Sequence, residues 1–143
     1  MKKEFNNTKK KDLSKIAKEI FKIIELFFIK NNRACILFLE GDLGAGKTTF
    51  TKYLAKLFNE ENVVSPTFIL RKDYEKFIHI DAYRLEKPKE AEALKLDKEL
   101  LNSKKLIIIE WSEKFRKELK IKADIIIFIN ILDKNTRNIL IKY

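Results

Sequence analysis

Cysteine occurs once in this chain, as Cys35 within the apolar run Ala34-Cys35-Ile36-Leu37-Phe38-Leu39. That excludes an intramolecular disulfide and a multi-cysteine metal site, and it suits a reducing, cytoplasmic setting. Histidine also occurs once, as His79. With no second histidine or cysteine to join it, His79 is a poor metal ligand and reads as structural. No apolar run approaches the length of a membrane span. The basic start Met1-Lys2-Lys3 could open a signal peptide, but lysines and glutamates break up residues 12 to 30 where its apolar core would lie, so the chain reads as soluble. Glycine and proline are scarce, at 3 and 2 residues, and no repeat or low-complexity linker divides the chain. With 45% hydrophobic residues, residues 1–143 read as one domain around one core.

What is plentiful is lysine. The formal net charge of +10 comes from 31 basic against 21 acidic residues. Such an excess attracts nucleic acid, nucleotides or acidic protein surfaces. The lysines are dispersed, however, which is also the ordinary chemistry of a solvated surface.

Apolar residues recur at three and four from Asp12 to Lys30, through Leu13, Ile16, Ala17, Ile20, Ile24, Phe27 and Phe28, which predicts an amphipathic helix. Ala34 to Leu39 is too short for a typical helix and reads as a buried strand. Thr48 to Asn59 returns to helical spacing. Ser65-Pro66 marks a turn, and Thr67 to Tyr74 reads as extended. In Phe77-Ile78-His79-Ile80-Asp81 the alternation predicts a strand with His79 and Asp81 on one face and Ile78 and Ile80 on the other. Pro88 suits the first turn of a helix continuing through Ala91, Leu94, Leu96 and Leu100. Leu106 to Ile109 is a second buried strand, ending at Glu110-Trp111. Ile125 to Ile131 and Asn138 to Tyr143, separated by Asp133-Lys134-Asn135, read as a hairpin or as adjacent strands.

All three glycines lie within Gly41-Asp42-Leu43-Gly44-Ala45-Gly46-Lys47-Thr48. Two glycines with four residues between them, Gly41 and Gly46, followed by Lys and Thr, form the Walker A pattern. A backbone that curls round a phosphate with its N–H groups inward needs conformations that a side chain obstructs. A buried strand precedes the motif and a helix follows it, as such a loop requires. Lys47 is placed to reach β- and γ-phosphates, and the Thr48 hydroxyl to ligate magnesium. The helix dipole adds on the order of 1 kcal/mol, so charge and N–H contacts carry most of the binding. The fold class is therefore α/β, a P-loop sheet that is largely parallel, flanked by helices, with room for antiparallel strands at its C-terminal end.

Glu110 ends an apolar strand, where an acidic residue serves magnesium in such sites. Trp111 beside it suits either a wall for the base or a partner, or an ordinary rim aromatic. Asp81 also ends a strand, where α/β proteins gather ligand-binding groups; a surface pair with Arg84 is the plainer reading. Ser65-Pro66-Thr67 offers a hydroxyl on a segment placed like a phosphate-sensing switch, or an ordinary turn.

Gly41 to Thr49, then Val64-Ser65-Pro66-Thr67-Phe68, then His79-Ile80-Asp81-Ala82-Tyr83-Arg84-Leu85, then Ile109-Glu110-Trp111 together closely resemble the TsaE family. The resemblance runs from the first helix to about Phe115 and weakens over the last strands. It implies an ATPase that assists TsaB and TsaD proteins in forming threonylcarbamoyladenosine beside the tRNA anticodon, without transferring the carbamoyl group itself. It implies that Lys47 and the backbone from Asp42 through Leu43, Gly44, Ala45 and Gly46 hold phosphates. Thr48 and Glu110 would serve Mg2+, Thr49 would touch the α-phosphate, Thr67 would belong to a mobile switch, and Asp81 would support hydrolysis. Ser112 stands where the family has proline, and Lys95 where a glycine often sits. Both positions read as outside the phosphate-binding core.

Two other classes fit the same loop. A small kinase needs an acceptor pocket and usually an arginine-rich lid, yet arginines are few and Glu86 to Lys105 is dominated by lysine and glutamate. A binding module would use ATP only to order a surface for partners. A GTPase lacks its Asn-Lys-x-Asp motif here, since Asn130-Ile131-Leu132-Asp133 has no lysine.

Overall fold

A computed structural model describes residues 1–66, 70–87, 90, 94–102, 104–114 and 121–143. The strands are β1 (Lys2–Lys9), β2 (Cys35–Glu40), β3 (Arg71–Asp73), β4 (Phe77–Asp81), β5 (Leu106–Glu110), β6 (Ile125–Ile131) and β7 (Thr136–Lys142). They form one seven-stranded sheet in the order β1-β7-β6-β2-β5-β4-β3. Its centre, β6-β2-β5-β4, is parallel. Antiparallel strands close both edges, β7 and β1 on one side and β3 on the other.

Helix α1 (Leu13–Lys30) buries the stripe Leu13, Ile16, Ala17, Ile20 and Ile24. Helix α2 (Lys47–Leu57) buries Phe50, Leu54 and Ala55. Both pack on the sheet face that carries Cys35, Leu37 and Leu39 of β2 and Ile108 of β5. Alternate residues Ile36, Phe38, Ile107 and Ile109 fill the opposite face with Ile78, Ile80, Leu85, Leu94 and Leu96. Every residue of β2, β4 and β5 is buried, as expected of parallel strands covered on both faces. Each fully buried Ile or Leu contributes roughly 1.5–3 kcal/mol, so this centre is where the stability resides.

The structure departs from the sequence reading in three places. The N-terminal residues form β1, whose alternation is concealed by lysines and asparagines because an edge strand exposes most side chains; its register runs from Lys2 opposite Lys142 to Lys9 opposite Thr136. The helix expected to run on through Leu94, Leu96 and Leu100 is broken at Lys95, which takes φ +47°. A separate helical turn, α3 (Asp97–Leu100), follows it. Pro88 and Ala91, where that helix was expected to begin, lie outside the described residues. The last strand begins at Thr136 rather than Asn138 and forms a hairpin with β6. Among the described residues, no helix is long and apolar enough to cross a membrane.

Candidate functional site

The glycine loop leaves the C-terminal end of β2, at the sheet's centre, and ends in α2. Gly41 has φ +139°, and a Cβ there would stand 2.2 Å from the Ile129 carbonyl oxygen of β6. Only glycine lets the chain turn out of β2 so close to a neighbouring backbone. Gly46, at φ +111°, is the cap of α2. From the first residue of that helix, Lys47 turns back over the loop: its Nζ donates to the carbonyls of Gly41 at 2.5 Å and Asp42 at 2.9 Å. The same ammonium lies 3.6 Å from the centre of the Trp111 ring. Burial pushes the Lys47 ammonium below the usual lysine range, against the opposing pull of Glu110, Glu113, Asp81 and Asp42.

Strand register supplies the acids. Asp81 of β4 and Glu110 of β5 are direct partners at the C-terminal ends of adjacent parallel strands, the edge where open α/β sheets collect ligand groups. By alternation, His79, Asp81 and Glu110 face α2. Glu110, 2% exposed, accepts from Thr48 Oγ1 at 3.2 Å through Oε2, and from Thr51 Oγ1 at 3.4 Å through Oε1. His79 Nε2 lies 2.8 Å from the same Oε1. Asp81 accepts from the Tyr83 backbone N–H at 3.0 Å and from Ser65 Oγ at 3.5 Å. The next residue after Glu110, Trp111, has φ +61°, a conformation uncommon for a bulky side chain and a form of strain that clusters at functional sites.

Lys47, Thr48, Asp81, Glu110 and Trp111 line one cleft of about 300 Å³, with His79 and Thr51 buried behind Glu110. Of the residues singled out in the sequence, Leu43, Gly44, Gly46, Lys47, Thr48, Thr49, Asp81, Glu110 and Trp111 border it. Asp42 contributes through its carbonyl, whereas Ala45 is fully buried in the core. Thr67 lies outside the described residues.

The cleft also takes in Lys10, Ser65 and Tyr83. Ser65 stands out in the sequence for its hydroxyl, while Lys10 is lost among the dispersed lysines and Tyr83 shows only as part of a motif. The Tyr83 ring is tilted against Trp111, with centroids 5.0 Å apart. Arg137 escapes the sequence reading as well: from β7 its Nε donates to the Ala45 carbonyl at 3.0 Å. Its signal is parity, because Arg137, Ile139 and Ile141 share the buried face of one strand. Ser112 reads from sequence as outside the site, yet its buried hydroxyl donates at 3.1 Å to Glu40, the residue that precedes Gly41.

The donor set can be tested against a magnesium ion. Thr48 and Glu110 offer two hard oxygens 3.2 Å apart, close to the separation of about 2.9 Å between adjacent ligands in an octahedron with bonds of roughly 2.05 Å. Among the described residues no group of three or more His, Cys, Asp or Glu is placed to hold a metal. A pair of protein oxygens with the remaining positions left to water and phosphate is the mode magnesium favours, so the residues fit.

Comparison with known proteins bears on the whole chain. The family model for Threonylcarbamoyl adenosine biosynthesis protein TsaE matches residues 7–139. The tRNA threonylcarbamoyladenosine biosynthesis protein TsaE of Haemophilus influenzae is 38% identical over 119 residues, which are 80% of this chain and 73% of that protein. The protein of the same name from Aquifex aeolicus is 36% identical over 135 residues, 90% of this chain and 86% of its own length. The crystal structure of Bacillus subtilis YdiB superposes with a TM-score of 0.70 at 25% identity, covering 99% of this chain and 84% of that one.

Proposed function

The chain belongs to the TsaE family of tRNA threonylcarbamoyladenosine biosynthesis, and on that premise we propose that it is a P-loop ATPase whose hydrolysis of Mg-ATP supports TsaB and TsaD in modifying the anticodon-loop adenosine of tRNA. One observation carries the reading. A glycine loop, the buried ammonium of Lys47 and the hydroxyl–carboxylate pair of Thr48 and Glu110 converge on a single cleft.

Lys47 exchanges the carbonyls of Gly41 and Asp42 for the β- and γ-phosphates. It acts there as a point charge, and the loop N–H groups from Asp42 to Gly46 cradle the same oxygens. Thr49, one residue further into α2, faces the α-phosphate. Thr48 and Glu110 would hold Mg2+, which when bound would neutralise charge developing on the phosphate oxygens. Asp81 orients the attacking water, and its bond to Ser65 ties it to the segment that carries Thr67. Ser65 would answer the terminal phosphate through that bond, so the ATP and ADP states would present different surfaces to the partners. Trp111 forms the side wall.

The net charge of +10 suits a complex that retains tRNA, with this chain meeting tRNA indirectly through its partners. The buried thiol of Cys35 suits the reducing cytoplasm.

The test is ATP turnover by the purified protein, alone and with TsaB and TsaD, with Lys47→Ala as the blank. Slow turnover that rises with the partners and vanishes in the blank is expected. No turnover under either condition overturns the ATPase reading in favour of a binding module or a kinase.

A further inference from the structure

His79 is fully buried at the middle of β4, and its Nε2 lies 2.8 Å from Glu110 Oε1. Among the described residues this is the shortest of the three side-chain contacts that hold the Glu110 carboxylate, the others being Thr51 at 3.4 Å and Thr48 at 3.2 Å. The contacts divide between the two oxygens. Oε1 takes His79 and Thr51, both fully buried, while Oε2 takes Thr48. With Glu110 ionised, the short contact requires a proton on Nε2, since an unprotonated ring nitrogen facing a carboxylate oxygen would set two acceptors against each other. Nδ1 is buried with no hydrogen-bond partner, so the only polar anchor of the ring among the described residues is the Glu110 carboxylate.

We propose that His79 is a positioning residue for the magnesium site, holding Glu110 by Oε1 so that Oε2 stays turned toward Thr48. The inference rests on the Mg-ATP reading above and adds a named orienting residue to it. The physical reason is that a glutamate has three side-chain torsions, and a carboxylate free to rotate offers a metal the wrong oxygen much of the time. A donor fixed by a strand and by close packing removes that freedom. Carboxylates that ligate metals are themselves held by such hydrogen bonds, and loss of the outer partner typically costs about 10- to 100-fold in metal affinity or activity.

Because the chain has a single histidine, its ring can be examined in the unaltered protein. A long-range 15N–1H spectrum is expected to show a proton on Nε2, and a ring protonated at Nδ1 alone overturns the proposal. The second arm compares His79→Gln with His79→Asn. The glutamine amide nitrogen reaches the place of Nε2, whereas the asparagine amide falls short, at the place of Nδ1.

For each variant, binding of a fluorescent ADP is measured without Mg2+, and the Mg2+ concentration giving half-maximal ATP turnover is then determined. His79→Asn is expected to raise the Mg2+ requirement about 10- to 100-fold while leaving Mg2+-free ADP binding in place, with His79→Gln restoring most of the loss. An unchanged Mg2+ requirement in folded His79→Asn overturns the positioning role alone, as does an equal loss of Mg2+-free ADP binding. If the unaltered protein binds nucleotide and turns it over identically with and without Mg2+, the parent reading falls and this one with it. Should His79→Asn fail to fold, the spectrum of the unaltered ring still decides, since a ring protonated at Nδ1 alone overturns the proposal.

Discussion

The guanidinium of Arg137 and the carbonyl of Ala45, 92 positions apart in the chain, meet in a hydrogen bond of 3.0 Å beneath the glycine loop. A second nitrogen of the same group lies 3.5 Å from the Gly44 carbonyl. Peptide groups are planar, so fixing these carbonyls outward fixes the following N–H groups in the opposite sense. The terminal hairpin thereby sets the shape of a loop with which it shares no local sequence.

On the proposed ATP-binding reading, replacing Arg137 is expected to weaken nucleotide binding from a distance. Arg137→Lys keeps the charge but loses the planar fork, and Arg137→Met loses both. A calorimetric titration with ADP is expected to show affinity falling in the order Arg137, Lys, Met, with the last roughly tenfold or more below the first, as for a lost buried charge-assisted bond of about 1.5–3 kcal/mol. Unchanged ADP affinity in folded variants would remove the loop-shaping role.

The loop's glycines differ in what they tolerate. At Gly41 a methyl group meets the Ile129 carbonyl oxygen at 2.2 Å, whereas at Gly44 it meets nothing within 4 Å. Gly44→Ala carries only the cost of its φ of +78°, about 1–2 kcal/mol. Gly41→Ala adds a backbone collision to a similar cost. Urea unfolding is expected to rank Gly41→Ala well below Gly44→Ala, and equal losses would contradict so close an approach of the loop to β6.

Lys95 offers the reverse case. It is exposed, and it holds φ +47° between the buried Leu94 and Leu96. Lys95→Gly relieves the strained backbone and is expected to stabilise the protein by about 1 kcal/mol, less the entropy glycine returns to the unfolded chain. Thermal unfolding checks this, and a lowered midpoint would count against a left-handed residue there.

Trp111 is the only tryptophan, and the Lys47 ammonium sits over its ring. A ligand phosphate that draws Lys47 away changes the ring's electrostatic surroundings. Adding ATP is expected to shift the tryptophan emission, and Lys47→Met should give a shifted emission without nucleotide and no response to it. A full nucleotide response in Lys47→Met would show that the signal comes from elsewhere.

Asp133 gives the fold an acid-sensitive corner. Its carboxylate accepts from the Thr136 hydroxyl and from the backbone N–H groups of Asn135 and Thr136, which together hold it below the ordinary Asp value of 3.8. A folded-state value below the unfolded one means that this contribution is fully present above about pH 4 and is lost as pH falls through the folded value. Asp133→Ala is expected to lower the unfolding midpoint at pH 7 and to leave it less sensitive to acid between about pH 4 and pH 2. Parallel curves for the two proteins would contradict the turn's role.

Much of the site is legible in the chain alone. The glycine spacing places the loop because few other sequences satisfy a chain that must turn beside a neighbouring strand, and the apolar runs before Glu40, Asp81 and Glu110 place those acids at strand ends. His79 and Asp81 share the face that alternation assigns them. Less legible are the edges and the long-range contacts. Strand β1 hides its pattern because only one side of it touches the core, and Lys10 carries no local mark that separates it from any other surface lysine.

By itself the sequence determined the buried central strands, the glycine loop and the helix that follows it, because short-range periodicity and backbone sterics act within a few residues. Only the tertiary structure decided which strands are neighbours, and with that the pairing of Asp81 with Glu110, the reach of Arg137 to Ala45 and the contact of His79 with Glu110. Each of these depends on strand order and register, which are settled by how whole faces bury against one another and not by any residue's nearest neighbours in the chain.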